Sequence, residues 1–491
     1  MTIKPGRVCP ALIMLFSLLA FYVAPVQSET ERWAELEKCE LGAGSRLSLE
    51  ARCGTLIVAE NPNQPDGREI ELAWAVVPAR LGNFEPDPIV FLAGGPGQSA
   101  RDIAPAMSLA LRNANRTRDL IFLDQRGTGG SNALNCEFEQ VDYLAEPDWD
   151  QFNRQLRQCM DDNGADLRYY TTADGAHDLE LLRQHIGVEQ LNLMGGSYGT
   201  RMAQVYLKRY PGRVRSVVID GVVPSRLILG SEHAIKLDQS LERLFAACEA
   251  DQACDRQFPD LSTAFDQLKT RYAEQPIQIS LTHPRMGVAE DLLFNDQTLA
   301  GALRFLAYSP LSQMMIPYLV HEAATTGRPE RLASQAIMQT EQLDDAIAIG
   351  LNFAVGCSED WPHWPVEHDD SGTLLGNSMR DLYAQVCAWW PANPVGSDFH
   401  QPFASDVPML ILSGEFDPVT PPEYGDEAAA QFANSTHLVA AGRGHIVMTD
   451  ACISTIVTEF VEAASVDEVD TECMDTIGPE PFFLNLLGPS P

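Results

Sequence analysis

The sequence predicts an α/β fold in which a mostly parallel central sheet is flanked by helices and carries a large helical cap insertion. Short apolar runs, such as residues 88–93 and 214–220, alternate with helical stretches in the first half of the chain. This alternation stops near residue 224, and apolar runs resume at residue 407. Continuous apolar runs are typical of strands that are buried on both faces, as parallel strands between two helix layers are.

The elements are assigned in chain order from these patterns. We predict strands over residues 54–58, 68–77, 88–93, 120–123, 191–194, 214–220, 407–412 and 436–440. Helices are predicted over 174–186, after residue 197 and over 453–460, with a polar, partly helical lead-in over 29–50. The cap is expected to be mainly helical, with little strand character beyond 277–279.

A chain of 491 residues is too long for one compact core. We therefore expect a signal peptide (1–28), a first part of the core (29–224), a helical cap (225–401) and a second part of the core with a C-terminal tail (402–491). The formal net charge of -34 argues against nucleic acid or an anionic membrane surface as a partner.

The N-terminus has the pattern of a secretory signal. Lys4 and Arg7 precede an apolar run over 11–24, and we place cleavage after Ser28. The run is short for a membrane span, which needs about 20 residues, and Pro25 follows it rather than basic residues. We therefore expect a secreted or periplasmic protein that is not inserted in a membrane after cleavage.

The cysteines agree with export. Eleven are present, and loss of Cys9 with the signal leaves an even number. Neighbours in the sequence predict five local disulfides, although spacing alone leaves other connectivities open: Cys39–Cys53, Cys136–Cys159, Cys248–Cys254, Cys357–Cys387 and Cys452–Cys473. Neither a Cys-x-x-Cys pair nor a His–Cys cluster occurs, so zinc is not expected, and no metal or organic cofactor is predicted.

A Gly-x-Ser-x-Gly motif centred on Ser197 lies between a predicted strand and a predicted helix. This context is that of a nucleophile elbow, where the chain turns so sharply that Gly195 and Gly199 cannot carry side chains. An incidental serine in a glycine-rich turn is the alternative.

An activated serine needs a general base and an acid that orients it. Asp417 and His445 each follow a predicted strand, and the order Ser197, Asp417, His445 is that of an α/β-hydrolase. Glu415 and Asp426 are the rival acids. The rival base His437 lies inside a strand.

The turn after the third core strand is rich in glycine, which lets a substrate carbonyl approach the main chain. We expect the oxyanion to be bound by the N–H groups of Gly95 and of Tyr198, the residue after the nucleophile. Gly94 is the alternative to Gly95.

These motifs together resemble the prolyl iminopeptidase and tripeptidyl aminopeptidase branch of the α/β-hydrolases. The resemblance rests on residues 94–97, 124–131, 195–199 and 414–421, and it covers nearly all of the mature chain outside the cap. Ala93 departs from the histidine usual in prolyl iminopeptidases, which favours the secreted tripeptidyl aminopeptidase-like members. The resemblance implies peptide substrates with a free N-terminus. Asp124 and Arg126 are interpreted as a structural ion pair.

An exopeptidase must recognise the ammonium group of its substrate, and carboxylates suit this purpose. Glu359 and Asp360, next to Cys357 in the cap, are the candidates; a solvated loop with a packing Trp361 is the alternative. The predicted function is a secreted serine exopeptidase. An esterase or lipase with the same triad is the first alternative, and an inactive binding protein the second. Oligomeric state and the number of residues released stay open.

Overall fold

The computed structural model describes residues 1–2, 32–42, 47–81, 84–136, 138 and 148–489, with the side chains at 339–340 and 342–345 also outside the description. The predicted signal peptide lies outside the described residues except for its first two. Within the described part of the chain, no helix is long and apolar enough to cross a bilayer.

In the described residues, nine strands form one sheet in the order β1-β2-β3-β5-β4-β6-β7-β10-β11. Their bounds are β1 Glu37–Leu41, β2 Leu49–Ala59, β3 Glu69–Val77, β4 Ile89–Leu92, β5 Leu120–Leu123, β6 Leu191–Gly196, β7 Val214–Asp220, β10 Met409–Gly414 and β11 Ser435–Ala440. The pairs β1–β2, β2–β3 and β3–β5 are antiparallel. All pairs from β5 across to β11 are parallel, so the predicted mostly parallel sheet is confirmed.

The sheet lies between two layers of helices. The helices of the chain are α1 Ala100–Ala110, α2 Trp149–Asn163, α3 Thr172–His185, α4 Tyr198–Arg209, α5 His233–Ala250, α6 Gln252–Gln257, α7 Leu261–Glu274, α8 Asp296–Leu306, α9 Pro310–Gln313, α10 Ile316–Thr326, α11 Glu330–Ala346, α12 Ile349–Val355, α13 Ser378–Cys387, α14 Pro422–Gln431 and α15 Ala451–Ala463. On β4, Val90 and Leu92 pack with α3, α4 and α14, whereas Ile89 and Phe91 pack with α1 and α15. Both faces of the strand are therefore buried, which explains its unbroken apolar run.

The lead-in differs from its prediction, because residues 37–41 form a strand rather than a helix. β1 is the edge strand of the sheet and most of its side chains are exposed. An exposed edge strand needs no apolar alternation, so the sequence carried no signal for it.

Between β7 and β10 the chain forms the cap. Most of its helices up to α11 pack around one apolar cluster that includes Leu241, Leu268 and Leu303, whereas α12 and α13 pack in a second cluster that includes Leu351 and Val386. The cap also contains an antiparallel hairpin of β8 Ile277–Thr282 and β9 Ala289–Phe294. The sequence indicated only a short strand over 277–279, whereas the alternation of buried residues continues to Leu281 and the strand to Thr282.

The described residues form the five predicted disulfides between sequential neighbours. Cys39–Cys53 joins β1 to β2, and Cys357–Cys387 joins the segment after α12 to the end of α13. Disulfides persist in oxidising compartments, and these agree with an extracellular protein.

Candidate functional site

Ser197 occupies the turn between β6 and α4. Its backbone has φ 54° and ψ -125°, a conformation that non-glycine residues rarely adopt and that costs about 1–3 kcal/mol. A Cβ atom on Gly195 would overlap the Gly199 carbonyl, and one on Gly199 would overlap the Leu92 carbonyl. Both glycines are therefore required by close contacts, and the half-buried serine sits at the carboxyl edge of the sheet.

Asp417 and His445 are hydrogen-bonded to each other. His445 Nδ1 lies 2.8 Å from Asp417 Oδ2. The buried carboxylate also accepts bonds from Val419 N at 2.9 Å, Thr420 N at 2.8 Å and Thr420 Oγ1 at 2.8 Å. These contacts leave the carboxylate oriented and fully bonded, as the acid of a triad must be.

Asp417 and His445 each stabilise the charged form of the other. Burial acts to raise the pKa of Asp417, but the positive field and hydrogen bond of His445 and the loop N–H groups outweigh it, so the pKa is lowered. Burial acts to lower the pKa of His445, but Asp417 outweighs it, so the pKa is raised. The imidazolium that forms when His445 takes a proton is thereby stabilised.

Asp220, at the end of β7, connects the serine turn to the histidine loop. Its carbonyl accepts the Ser197 N–H at 2.9 Å, and its Oδ2 accepts Val447 N at 2.8 Å and Met448 N at 2.7 Å. Burial raises its pKa to about 7. Sequence reasoning missed this residue, although an aspartate that ends an apolar strand at the active edge was a usable signal.

The imidazole of His445 also lies against this frame. A Cβ on Gly221, next to Asp220, would lie 3.1 Å from His445 Cε1. In the described residues no hydrogen bond joins the serine hydroxyl to the imidazole. Such bonds commonly tighten only when substrate is bound.

The rival triad residues are engaged elsewhere. His437 bonds Asp426 Oδ1 at 2.9 Å through Nδ1 and Ser413 Oγ at 2.9 Å through Nε2. Glu415 Oε2 accepts the Gly442 N–H at 2.7 Å. Neither rival acid contacts His445.

The glycine-rich loop after β4 lies against the nucleophile, since a Cβ on Gly94 would lie 3.1 Å from Ser197 Cβ. Gly95 has φ 107°, which favours glycine. The cap holds this loop from above, because Ala348 N donates to Gly97 O at 2.9 Å. Tyr198 begins α4, where the first N–H groups of a helix lack intrahelical partners. Both expected oxyanion donors therefore belong to segments that border the serine.

The predicted ion pair between Asp124 and Arg126 is wrong, because each has other partners. Asp124 accepts bonds from Ser99 Oγ at 2.8 Å and Gly130 N at 2.9 Å. Arg126 makes two 2.7 Å bonds to the Asp178 carboxylate on α3. The two side chains leave the same turn in different directions, and both hold the loop after β5.

Glu359 and Asp360, predicted to bind a substrate amine, are fully buried. Glu359 accepts Thr172 N at 2.6 Å and Thr172 Oγ1 at 2.7 Å. Asp360 makes two 3.0 Å bonds to Arg201 and accepts Leu229 N at 2.8 Å. These contacts occupy both carboxylates within the protein, so amine binding stays a prediction that the geometry does not favour.

The same carboxylates reach the start of α4. Thr172 Oγ1 lies 2.7 Å from the Tyr198 hydroxyl, which also accepts Gln125 Nε2 at 3.2 Å. We call Glu359, Asp360, Arg201, Thr172 and Tyr198 the cap–elbow cluster. It joins the cap to the helix that follows the nucleophile.

Metal chemistry has no candidate ligand set here: in the described part of the chain, no group of three or more His, Cys, Asp or Glu side chains could hold a metal ion.

Comparison with known proteins agrees with this geometry. The sequence profile of the alpha/beta hydrolase fold matches residues 87–451. Serine protease Hip1 of Mycobacterium tuberculosis is 25% identical over 466 residues, which cover 86% of this chain and 87% of that protein. Tripeptidyl aminopeptidase of Streptomyces coelicolor is 24% identical over 484 residues, with 90% and 86% covered. Carboxylesterase B of Mycobacterium tuberculosis is 27% identical over 492 residues, with 92% and 91% covered.

Proposed function

Because the chain belongs to the α/β-hydrolase family, we propose that it is a secreted serine exopeptidase that cleaves peptide bonds near free N-termini. The observation that carries the proposal is the bonded Asp417–His445 pair at the sheet edge where Ser197 stands in its strained turn. The serine protease and tripeptidyl aminopeptidase relatives support a peptide substrate. The disulfides support an oxidising compartment.

In the proposed mechanism, Ser197 attacks the scissile carbonyl while His445 Nε2 takes the hydroxyl proton. Asp417 holds the imidazole in the required tautomer through Nδ1. The oxyanion is bound by the N–H groups of Gly95 and Tyr198, each worth about 2.7–4 kcal/mol of the barrier. His445 then protonates the departing amine, and water hydrolyses the acyl-enzyme by the same sequence.

The 225–401 cap is proposed to select the substrate, because its segments border the base and the oxyanion loop. Ala348 contacts the oxyanion loop, and the Tyr308 carbonyl accepts the His445 N–H at 2.9 Å. We place the site between this cap and the 29–224 and 402–491 parts of the core.

An ester hydrolase is the second candidate, because a carboxylesterase is among the similar proteins at comparable identity and coverage. The same triad cleaves esters and amides, and only the cap contacts would separate them. An inactive binding protein is disfavoured, since all three triad residues are present.

Mass spectrometry of products from a mixed peptide library, run beside a panel of short-chain esters, tests the proposal. We expect release of N-terminal fragments by the native protein and none by Ser197→Ala. Hydrolysis confined to the esters would replace the peptidase with the esterase, and N-terminally blocked peptides report whether a free amine is required.

A further inference from the structure

The last turn of α8, in the cap, carries an arginine that has no acidic partner. Arg304 Nη1 lies 3.3 Å from the Met379 thioether sulfur, and its guanidinium carbon lies 5.7 Å from the Phe305 ring centroid. No carboxylate of the described side chains lies within the 4.0 Å of an ion pair from it. A thioether is a weak acceptor, whereas a guanidinium has five N–H donors. The chain has 68 acidic and 34 basic residues, yet no described acidic side chain binds this guanidinium. Its donors are therefore available for a ligand.

On one side, the segment that follows Arg304 contacts the catalytic base. Tyr308 follows Arg304 by four residues and lies two residues beyond the end of α8. The Tyr308 ring lies edge-on to the His445 ring, with 5.2 Å between centroids, and its carbonyl accepts the His445 N–H at 2.9 Å. The segment that directly follows α8 thus packs against the histidine loop.

On its other side, Arg304 contacts Met379 of α13. This helix is connected to the oxyanion loop by two hydrogen bonds through Asn352. Met379 and Tyr383 lie one turn apart on this helix. The Tyr383 hydroxyl donates to Asn352 Oδ1 at 3.2 Å, and Asn352 Nδ2 donates to the Pro96 carbonyl at 3.4 Å. The end of α8 is therefore linked on one side to the histidine loop and, through α13, to the oxyanion loop.

Two further buried polar groups, one beside Tyr383 and one in the electrostatic field of Arg304, have no partner in the described part of the chain. Trp364, which is 9% exposed, has its ring centroid 5.8 Å from that of Tyr383, and its buried Nε1 has no acceptor among the described residues. His233 Nδ1 is likewise buried without a partner in the described part. Burial lowers the pKa of His233 to about 3, with added effects of the positive charges on Arg304 and His445, so this ring is neutral. Indole and guanidinium groups only donate, so the complementary ligand is an acceptor.

We propose that Arg304 is the anchor of a subsite that binds a carboxylate of the substrate beside Ser197. The chemical class is a short peptide with a negative group close to the cleaved bond, either an acidic side chain or a free C-terminus. A guanidinium recognises a carboxylate through paired hydrogen bonds. The role in turnover rests on the proposed function, but the binding of the carboxylate does not.

Binding is measured by calorimetry on the Ser197→Ala protein, which cannot turn over its ligand. The probes are Ala-Ala-Ala-Glu and Ala-Ala-Ala-Gln, each as the free acid and as the C-terminal amide. The Glu–Gln pair reports an acidic side chain, and the acid–amide pair reports the C-terminus. We expect Arg304→Gln to weaken the binding of the preferred carboxylate probe by about 10- to 100-fold, and to change the binding of the Gln amide, which has no carboxylate, less than twofold.

Arg256→Gln, which removes an exposed charge from α6 of the same cap, is the matched control and should change neither probe. The inference is overturned if Ser197→Ala binds the probes with and without a carboxylate equally, or if Arg304→Gln weakens the binding of both by the same factor. The first comparison does not depend on how the Arg304 variant folds. Failure of the proposed function is distinct, because it appears as absence of hydrolysis by the native protein.

Discussion

Replacing Glu359 with glutamine distinguishes an amine-binding carboxylate from one that supports the nucleophile helix. Glutamine keeps the size of the side chain but removes its charge. Its NH₂ group takes the place of Glu359 Oε2. This oxygen accepts a hydrogen bond from Thr172 Oγ1 at 2.7 Å and lies 3.5 Å from Arg201 Nη1. Two donors then face each other in a fully buried position. We expect a loss of about 1–3 kcal/mol in the free energy of unfolding.

The pH dependence of that loss follows from the pKa of Glu359. Burial raises the pKa from the ordinary 4.5 to about 7, Asp360 adds to this, and Arg201 and Thr172 oppose it. Because the folded-state pKa is raised, the folded protein keeps a proton that the unfolded chain releases between pH 4.5 and 7. Stability from this carboxyl group therefore falls as pH rises through that window, by about 3 kcal/mol in total. Glutamine does not titrate. The difference in the free energy of unfolding between the native protein and the variant is therefore largest near pH 5 and becomes smaller toward pH 8.

The assay combines urea unfolding at pH 5 and pH 8 with steady-state kinetics on a free-amine peptide and its N-acetyl counterpart. In the cap–elbow cluster, Thr172 holds the Tyr198 hydroxyl, so the variant disturbs the proposed oxyanion donor rather than substrate binding. We expect kcat to fall about 10-fold, which equals about 1.4 kcal/mol, with KM unchanged. Glu367→Gln, at an exposed position of the same cap, is the control and should alter none of these values.

A different pattern would refute this reasoning. If Glu359→Gln raised KM 10-fold or more for the free-amine peptide alone, with kcat and the pH dependence of unfolding as in the native protein, Glu359 would bind the substrate amine as the sequence predicted.

Three further predictions concern the triad and the cap. Asp417 raises the pKa of His445 above 6.5, and only the neutral imidazole accepts the serine proton. We therefore expect kcat/KM to fall as the pH is lowered, with a midpoint above pH 6.5. A midpoint below pH 6.5 would contradict the pairing of Asp417 with His445. Thr420→Val removes the 2.8 Å bond to Asp417 and should lower kcat/KM by about 10- to 100-fold, since a charge-assisted bond is worth about 1.5–3 kcal/mol; rates equal to the native protein's would oppose this role. Joint replacement of Cys357 and Cys387 by serine opens a link across 30 residues and should lower the free energy of unfolding by about 4 kcal/mol in the chain-entropy account, and an unchanged urea midpoint would count against it.

The sequence predicted the elements whose burial leaves a pattern along the chain. Strands β4, β5, β6 and β10 are buried throughout and mainly apolar, because both of their faces are covered. Ser197 was identifiable because a sharp turn between strand and helix restricts the neighbouring residues to glycine. Asp417 and His445 followed from the rule that catalytic side chains come after strands, at one edge of the sheet.

What the sequence could not supply was the partner of each charge. Arg126 bonds Asp178, 52 positions away, rather than its neighbour Asp124. Glu359 meets Thr172 across 187 positions, so a stretch that reads as an acidic surface loop is buried. Such pairings depend on how the cap packs on the core, and no local pattern encodes them. The edge strand β1 was missed for a related reason, because only Leu41 of its five side chains is buried and one buried residue leaves no alternating pattern.

The central claim is that Ser197 is a nucleophile activated by His445 and Asp417, and reaction with a fluorophosphonate tests it most directly. Peptide mapping by mass spectrometry after labelling should find the adduct on Ser197, with labelling absent in Ser197→Ala and slowed at least 100-fold in His445→Gln. An adduct on another residue, or an equal labelling rate in His445→Gln, would contradict the account.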